Sequence, residues 1–185
     1  MATDISAQDF ILLAYKAFGG RMKGKTLLQK RVYFLSVMVS ENLGYGAHYY
    51  GPYSEEVATG NAELRSLGLV KENVESYGVD YRGFERARFD YDLSEFGARV
   101  ADQIAVIYPD LWERIERAAK TLIKSGDLDY MALSIAAKAY YILQKEGGSS
   151  TLEKIKELLP KFNWSVSDLQ LKSAAEFLRK AALVR

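Results

Sequence analysis

The sequence predicts a mainly α-helical protein with a small antiparallel β-hairpin, laid out as a winged helix-turn-helix followed by a C-terminal helical part. Three observations carry that prediction. Apolar residues recur at helical spacing through most of the 185 residues. One late stretch, Arg86-Ala-Arg-Phe-Asp-Tyr-Asp-Leu93, instead alternates with a period of two through Ala87, Phe89, Tyr91 and Leu93, as a half-buried strand does. The order around it is short helix, strand, turn, strand and capped helix, which is the order of a wing and its exit.

The elements follow from local signals. Ser6 with Asp9 three residues on resembles a capping box, Phe10, Leu13, Ala14, Ala17 and Phe18 share a face, and Gly19-Gly20 stops the helix. After a basic loop, 21–25, Thr26 is a candidate cap for a nearly all-round apolar helix ending near Asn42, which belongs in the middle of a bundle. The uncharged string Gly44-Tyr-Gly-Ala-His-Tyr-Tyr-Gly-Pro-Tyr53 cannot be helical through Gly51-Pro52, and His48-Tyr49-Tyr50 reads as a short strand entering a turn. Ser54 caps a helix over 54–67 with Glu55 and Glu56 in its first turn, and Gly68 ends it. Strands are expected over 69–74 and 86–93, with turn residues Gly78, Asp80 and Gly83 between them. Ser94 opens the next helix, which breaks at Tyr108-Pro109. In the helix after that break, Glu113/Arg117 and Glu116/Lys120 mark an exposed face.

Ser125-Gly-Asp127 is the expected boundary between a winged-helix domain with exit helices, 1–125, and a three-helix, helix-turn-helix-like part, 126–185. Helices are expected there over 128–145, 150–159 and 166–181, with Ser150 and Ser165 as capping residues. Leu64-Arg-Ser-Leu-Gly-Leu-Val-Lys71 is echoed by Leu178-Arg-Lys-Ala-Ala-Leu-Val-Arg185, which puts the second segment where a wing would begin in a wingless second copy.

Composition limits the function. A formal net charge of +1 announces no global attraction to nucleic acid, so any such contact needs a local patch. The chain has no cysteine, which removes disulfides, thiol nucleophiles and thiolate metal sites. Its single histidine argues against a His-dependent metal site or triad. No apolar run reaches membrane-spanning length, no signal peptide is recognisable, and the expected location is the cytoplasm. No glycine-rich lysine motif or dinucleotide fingerprint is present. The carboxylate pairs Asp127/Asp129 and Glu55/Glu56 are explained by capping and the helix dipole. The expectation is a protein that is not an enzyme and takes no cofactor or metal.

Two stretches remain as candidate sites. Between Asp9 and Glu41 there is no acidic residue but six basic ones. Arg21, Lys23 and Lys25, with Arg82, Arg86 and Arg88 from the wing, form either a solvated surface or a contact with phosphates or an acidic partner. The helix over 54–67 suits base reading poorly, because Glu55, Glu56 and Glu63 outnumber Arg65. His48, Tyr49, Tyr50, Gly51, Pro52 and Tyr53 form the second stretch. Its tyrosines either pack between the first helices or project as anchors for a partner, with Gly51-Pro52 shaping the turn.

Lys25-Thr-Leu-Leu-Gln-Lys30, His48-Tyr-Tyr-Gly-Pro-Tyr-Ser-Glu-Glu56 and Leu67-Gly-Leu-Val70 resemble the YwgA family of uncharacterised prokaryotic proteins. The C-terminal Leu133-Ser-Ile-Ala-Ala-Lys-Ala-Tyr-Tyr141 fits the same pattern less distinctively. More distantly the chain is similar to SocA-type antitoxins, the Panacea domain. The resemblance implies a small regulatory or antitoxin-like adaptor without a cofactor, and it supplies no catalytic residues. Together these readings favour binding to a protein partner, by antitoxin-like neutralisation or self-association. The alternative is a DNA-binding transcriptional regulator using the basic loop and wing.

Overall fold

The computed structural model describes residues 5–79, 81, 85–126 and 129–184, apart from the side chains of residues 79, 85 and 86. Most of the chain is helical. In order the elements are α1 (Ala7–Ala17), β1 (Arg21–Lys23), α2 (Lys25–Met38), β2 (Gly46–His48), β3 (Gly51–Tyr53), α3 (Glu55–Ser66), β4 (Val70–Val79) and β5 (Glu85–Leu93). Then come α4 (Glu95–Ile107), α5 (Pro109–Ser125), α6 (Tyr130–Lys145), α7 (Leu152–Leu158), a short 3-10 turn (Leu159–Phe162) and α8 (Asp168–Lys180). No described helix is long and apolar enough to cross a membrane.

The strands form two antiparallel sheets. One has three strands in the order β1-β5-β4, and the other is the β2-β3 hairpin. α1 and α2 are buried along most of their length, in keeping with their near-continuous apolar sequence. α1 packs against α3, α4 and α5, α2 packs against α6, and α6 in turn packs against α8. One cluster of buried side chains runs from Phe10 in α1 to Phe177 and Leu178 in α8.

Local capping chemistry sets most helix starts. The hydroxyls of Ser6, Ser54 and Ser94 accept from the N–H groups of Asp9, Val57 and Gly97, at 3.1, 3.1 and 2.9 Å. Gly19 and Gly68 follow the ends of α1 and α3 at φ +77° and +72°, a conformation in which a Cβ would be crowded. On α5 both expected ion pairs form, Arg117 to Glu113 at 2.5 Å and Lys120 to Glu116 at 3.0 Å.

Several boundaries differ from the sequence reading. The basic stretch expected as a loop is strand β1, with Arg21 opposite Asp92, Met22 opposite Tyr91 and Lys23 opposite Asp90. Three residues are too few to show a period of two, and the strand's partner lies some seventy residues along. Thr26 does not cap α2; Gly24 holds that position without a side-chain hydrogen bond. Tyr49-Tyr50 is the turn of the hairpin rather than part of a strand, because Gly51 at φ +102° starts the return strand. Thr151, not Ser150, caps α7, and Ser167 with Gln170 makes the capping box of α8 in place of Ser165 with Asp168. Thr151 and Ser167 each stand one residue before the first helical residue, and their hydroxyls accept from the N–H groups of Lys154 and Gln170 at 3.2 and 3.3 Å.

The internal echo has a structural counterpart. Leu69 N–H donates to Leu64 and Gly68 N–H to Arg65, at 2.9 and 3.0 Å; Leu183 N–H donates to Leu178 and Ala182 N–H to Arg179, both at 2.9 Å. Both segments end a helix with the same turn, but Ala182 stands at φ +56° where Gly68 stands in the first. An alanine there is crowded by its Cβ at a cost of about 1 kcal/mol. Ala182→Gly is therefore expected to raise stability by about 0.5 kcal/mol, net of the extra freedom glycine has when unfolded. Urea unfolding measures this; a loss of stability would refute it.

Candidate partner-binding site

The hairpin β2-β3 is held from below by side chains of α2, α6 and the C-terminal part. Gln29 on α2 reads the backbone of Ser54 twice, its Nε2 donating to the carbonyl at 2.9 Å and its Oε1 accepting from the N–H at 3.0 Å. Its neighbour Lys30 is fully buried and donates from Nζ to the Pro52 carbonyl at 2.5 Å. On the other flank the Trp164 indole N–H donates to the His48 carbonyl at 2.6 Å. Tyr45 donates to the carbonyl of Gln29 at 2.8 Å. These groups fix both strands of a hairpin that is too short to be stable alone.

Lys30 is the unusual member of this support. Burial, with the positive charge of Lys138 second, pushes its pKa from 10.5 down to about 7. Lys138 on α6 runs beside Gly51, where an added Cβ would meet Lys138 Cγ at 3.2 Å and Lys30 Cε at 3.4 Å. Burial lowers the pKa of Lys138 as well, and its ammonium lies 5.8 Å from the centre of the Trp164 ring. Among the described residues neither lysine has a carboxylate within salt-bridge distance. A lysine with a lowered pKa is a familiar catalytic group. Here Lys30 is 1% exposed with its donor directed at a backbone carbonyl, so its role is to hold the hairpin.

At the tip the chemistry changes. Tyr49 and Tyr50 are 69% and 55% exposed, and their rings meet edge to face at 4.9 Å. The His48 ring lies 4.8 Å from that of Tyr53, which is half-buried, while Gly51 and Pro52 are buried. Of the six residues expected here, His48, Tyr49, Tyr50 and Tyr53 offer surface. Gly51 and Pro52 shape the turn, and Pro52 also supplies the acceptor for Lys30.

The basic residues gather elsewhere. Arg21, Lys23 and Arg88 share the outer face of the three-stranded sheet, but with carboxylates from β5 and β4 between them. Arg88 is bonded to Asp90 at 2.8 Å and to Glu75 at 2.5 Å, and Arg21 lies 3.5 Å from Asp92 and 3.8 Å from Asp90. Lys25 lies with its ammonium 4.3 Å over the Phe89 ring. Arg82 and the side chain of Arg86 fall outside the described residues. The described part of this face is a laced mixture of charges rather than a basic patch. Among the described residues no cluster of three or more His, Cys, Asp or Glu is placed to hold a metal ion.

The sequence reading missed Gln29, Lys30, Lys138 and Trp164 as supports of the hairpin. Their partners are backbone groups or rings distant in the chain, and such pairing leaves no local pattern. Gln29 and Lys30 do stand in the first of the strings that carry the resemblance noted above.

Over 93 residues the chain is 34% identical to a Bacillus subtilis (strain 168) protein described as "Uncharacterized protein YwgA", covering 50% of this chain and 52% of that protein. The chain thus spans about half the length of the curated relative it matches. No protein-family model matches the chain.

Proposed function

We propose that this protein is a non-enzymatic regulatory or adaptor protein of winged helix-turn-helix architecture. It acts by binding another protein, in an antitoxin-like manner or by self-association. One observation carries the reading: two adjacent tyrosines stand exposed on a turn whose flanks are both tied to the helical core, by Lys30 to Pro52 and by Trp164 to His48. A pre-ordered aromatic pair gives a partner contact area with little loss of side-chain freedom, which is how tyrosine anchors work. The order α1, β1, α2, α3, β4, β5 with sheet order β1-β5-β4 supports the architecture. The antitoxin-like form rests on the resemblance to SocA-type proteins and the cytoplasmic location on the sequence alone.

The test compares the wild-type chain with Tyr49→Ser/Tyr50→Ser, each expressed with an affinity tag in a prokaryotic host and matched for folding by circular dichroism. A partner, or a second copy by sedimentation equilibrium, is expected to bind the wild type at least ten times more strongly than the variant. Equal binding by both would refute the hairpin as the contact.

A DNA-binding regulator is the second reading, favoured by the shared face of Arg21, Lys23 and Arg88. Against it, the exposed side of α3 presents Glu55, Glu56, Thr59 and Glu63, so the helix that would enter a groove meets phosphate with like charge. A salt series with duplex DNA decides it: binding that falls steeply with salt and is lost on neutralising Arg21, Lys23, Lys25, Arg82, Arg86 and Arg88 supports regulation of transcription.

A further inference from the structure

Beside the three-stranded sheet, away from the hairpin, lies an open cleft of about 540 Å³ between the start of α2, the wing and the start of α6. Its walls combine three features. The first is a free sheet edge. β5 is nine residues long but pairs with β1 only at residues 90–92, so no described strand pairs with its first half on that edge. Leu93 N–H donates across this edge to Gly20 at 2.7 Å, and by the two-residue alternation of an antiparallel strand the N–H and C=O of Ala87 face the same way.

The second feature is aromatic surface. Tyr77 from β4 and Tyr130 from α6 are both more than half exposed and line the cleft together with Phe89. The third is charge. Lys23 and Lys25 are exposed at the rim, and among the described residues neither has a carboxylate within salt-bridge distance. Arg88 is already engaged by Asp90 and Glu75. An unpaired edge is a standing template for another chain, and proteins that must avoid pairing cover it or place charges along it. Here the edge opens into an apolar cleft with Lys23 at its rim and the Lys25 ammonium 4.3 Å over the Phe89 ring.

We propose that this cleft binds an extended, acidic segment of a partner protein, added as a strand to β5 in line with β1. Main-chain bonds to Ala87 give the segment its register, its alternate apolar side chains lie along Ala87 and Phe89, and its carboxylates meet Lys23 and draw the Lys25 ammonium from over the Phe89 ring. About five residues of extended chain, at roughly 3.3 Å each, match the unpaired part of β5, residues 85–89. The proposal rests on the reading that the protein works by binding proteins, but uses a surface separate from Tyr49 and Tyr50.

The probe is a fluorescein-labelled pool of peptides Ac-Glu-x-Glu-x-Glu-NH2, with x drawn from Val, Ile, Phe and Tyr, titrated against the full chain by anisotropy. Binding is expected, at least tenfold weaker for Lys23→Glu/Lys25→Glu and for a pool N-methylated on its backbone. A pool with lysine in place of glutamate is expected not to bind. Tyr49→Ser/Tyr50→Ser is expected to bind the acidic pool as the wild type does, so this proposal and the hairpin reading fail separately. No binding of the acidic pool, equal binding of the lysine or N-methylated pool, or binding unchanged in the charge-reversed variant would each overturn the proposal. So would an oligothymidine ten-mer that displaces the pool and binds more tightly, since the cleft would then be a nucleic-acid site.

Discussion

Replacing Gly97 with alanine is expected to destabilise the protein by about 3 kcal/mol or more, although the position lies inside a helix where alanine is intrinsically favoured by about 1 kcal/mol. Gly97 sits in the first turn of α4, against the chain leaving α3. A Cβ built there would stand 2.0 Å from the Leu69 carbonyl oxygen and 2.9 Å from its carbon. Carbon and oxygen that are not bonded approach to about 3.3 Å, so helix and strand would have to part by more than an ångström. That carbonyl accepts from Ser94 N–H at 2.9 Å, and the Ser94 hydroxyl donates to Gly68 at 2.8 Å. A shift large enough to fit a methyl group breaks both bonds and disturbs the cap of α4. Gly46 is the control, since an added Cβ there meets nothing within 4 Å and its φ is not positive. Gly46→Ala should change stability by less than about 0.5 kcal/mol. Urea unfolding of the two variants checks the pair, and equal effects would show that the α4 junction yields.

Gly97 also shows what a sequence of this kind discloses. Ser94 is legible as a cap because its hydroxyl acts three residues away, and Ser6 and Ser54 are legible for the same reason. The two-residue period through Ala87, Phe89, Tyr91 and Leu93 is legible because one buried face imposes it along the whole strand. What Gly97 avoids is a carbonyl 28 positions earlier, and no neighbouring residue reports it. β1 was hidden for a related reason: with only Met22 facing inward, its identity as a strand exists only in its pairing with β5. The carboxylates that offset its charges, Asp90 and Asp92, come from that same partner strand, so the run of bases looked more uniform in sequence than its surface is. In the hairpin, the Gly51-Pro52 break and the wealth of tyrosine were visible, but which tyrosines are exposed depends on a turn placed one residue from where strand propensity suggested. The groups that hold the turn were not visible at all, because a lysine directed at a backbone carbonyl has the same sequence signature as any lysine in a helix.

That lysine sets the second large effect, a rise in stability with pH. Unfolded, Lys30 has the ordinary pKa of 10.5; folded, burial and Lys138 bring it to about 7. Between those values the unfolded chain holds a proton that the folded chain has released, so stability increases with pH across the window and levels off above it. One proton contributes about 1.4 kcal/mol per pH unit at full difference, so a gain of roughly 2 kcal/mol or more is expected between pH 7.5 and 9.5. The upper limit comes from Tyr15, Tyr33 and Tyr45, whose phenols burial pushes well up. Above pH 10 their unfolded forms ionise first, and stability falls again. Lys30→Met removes the titrating group and should flatten the rise. It also leaves the Pro52 carbonyl without its donor, which costs about 1–3 kcal/mol, so the two curves should differ in slope more than in height at neutral pH. Lys138→Met should keep the rise but start it at higher pH, because taking away the neighbouring charge lets Lys30 hold its proton longer. Urea unfolding at half-unit steps of pH gives all three curves. A wild-type curve flat from pH 7.5 to 9.5 would mean that Lys30 keeps its charge in the folded state, and an anion or water would then have to be reaching the underside of the hairpin.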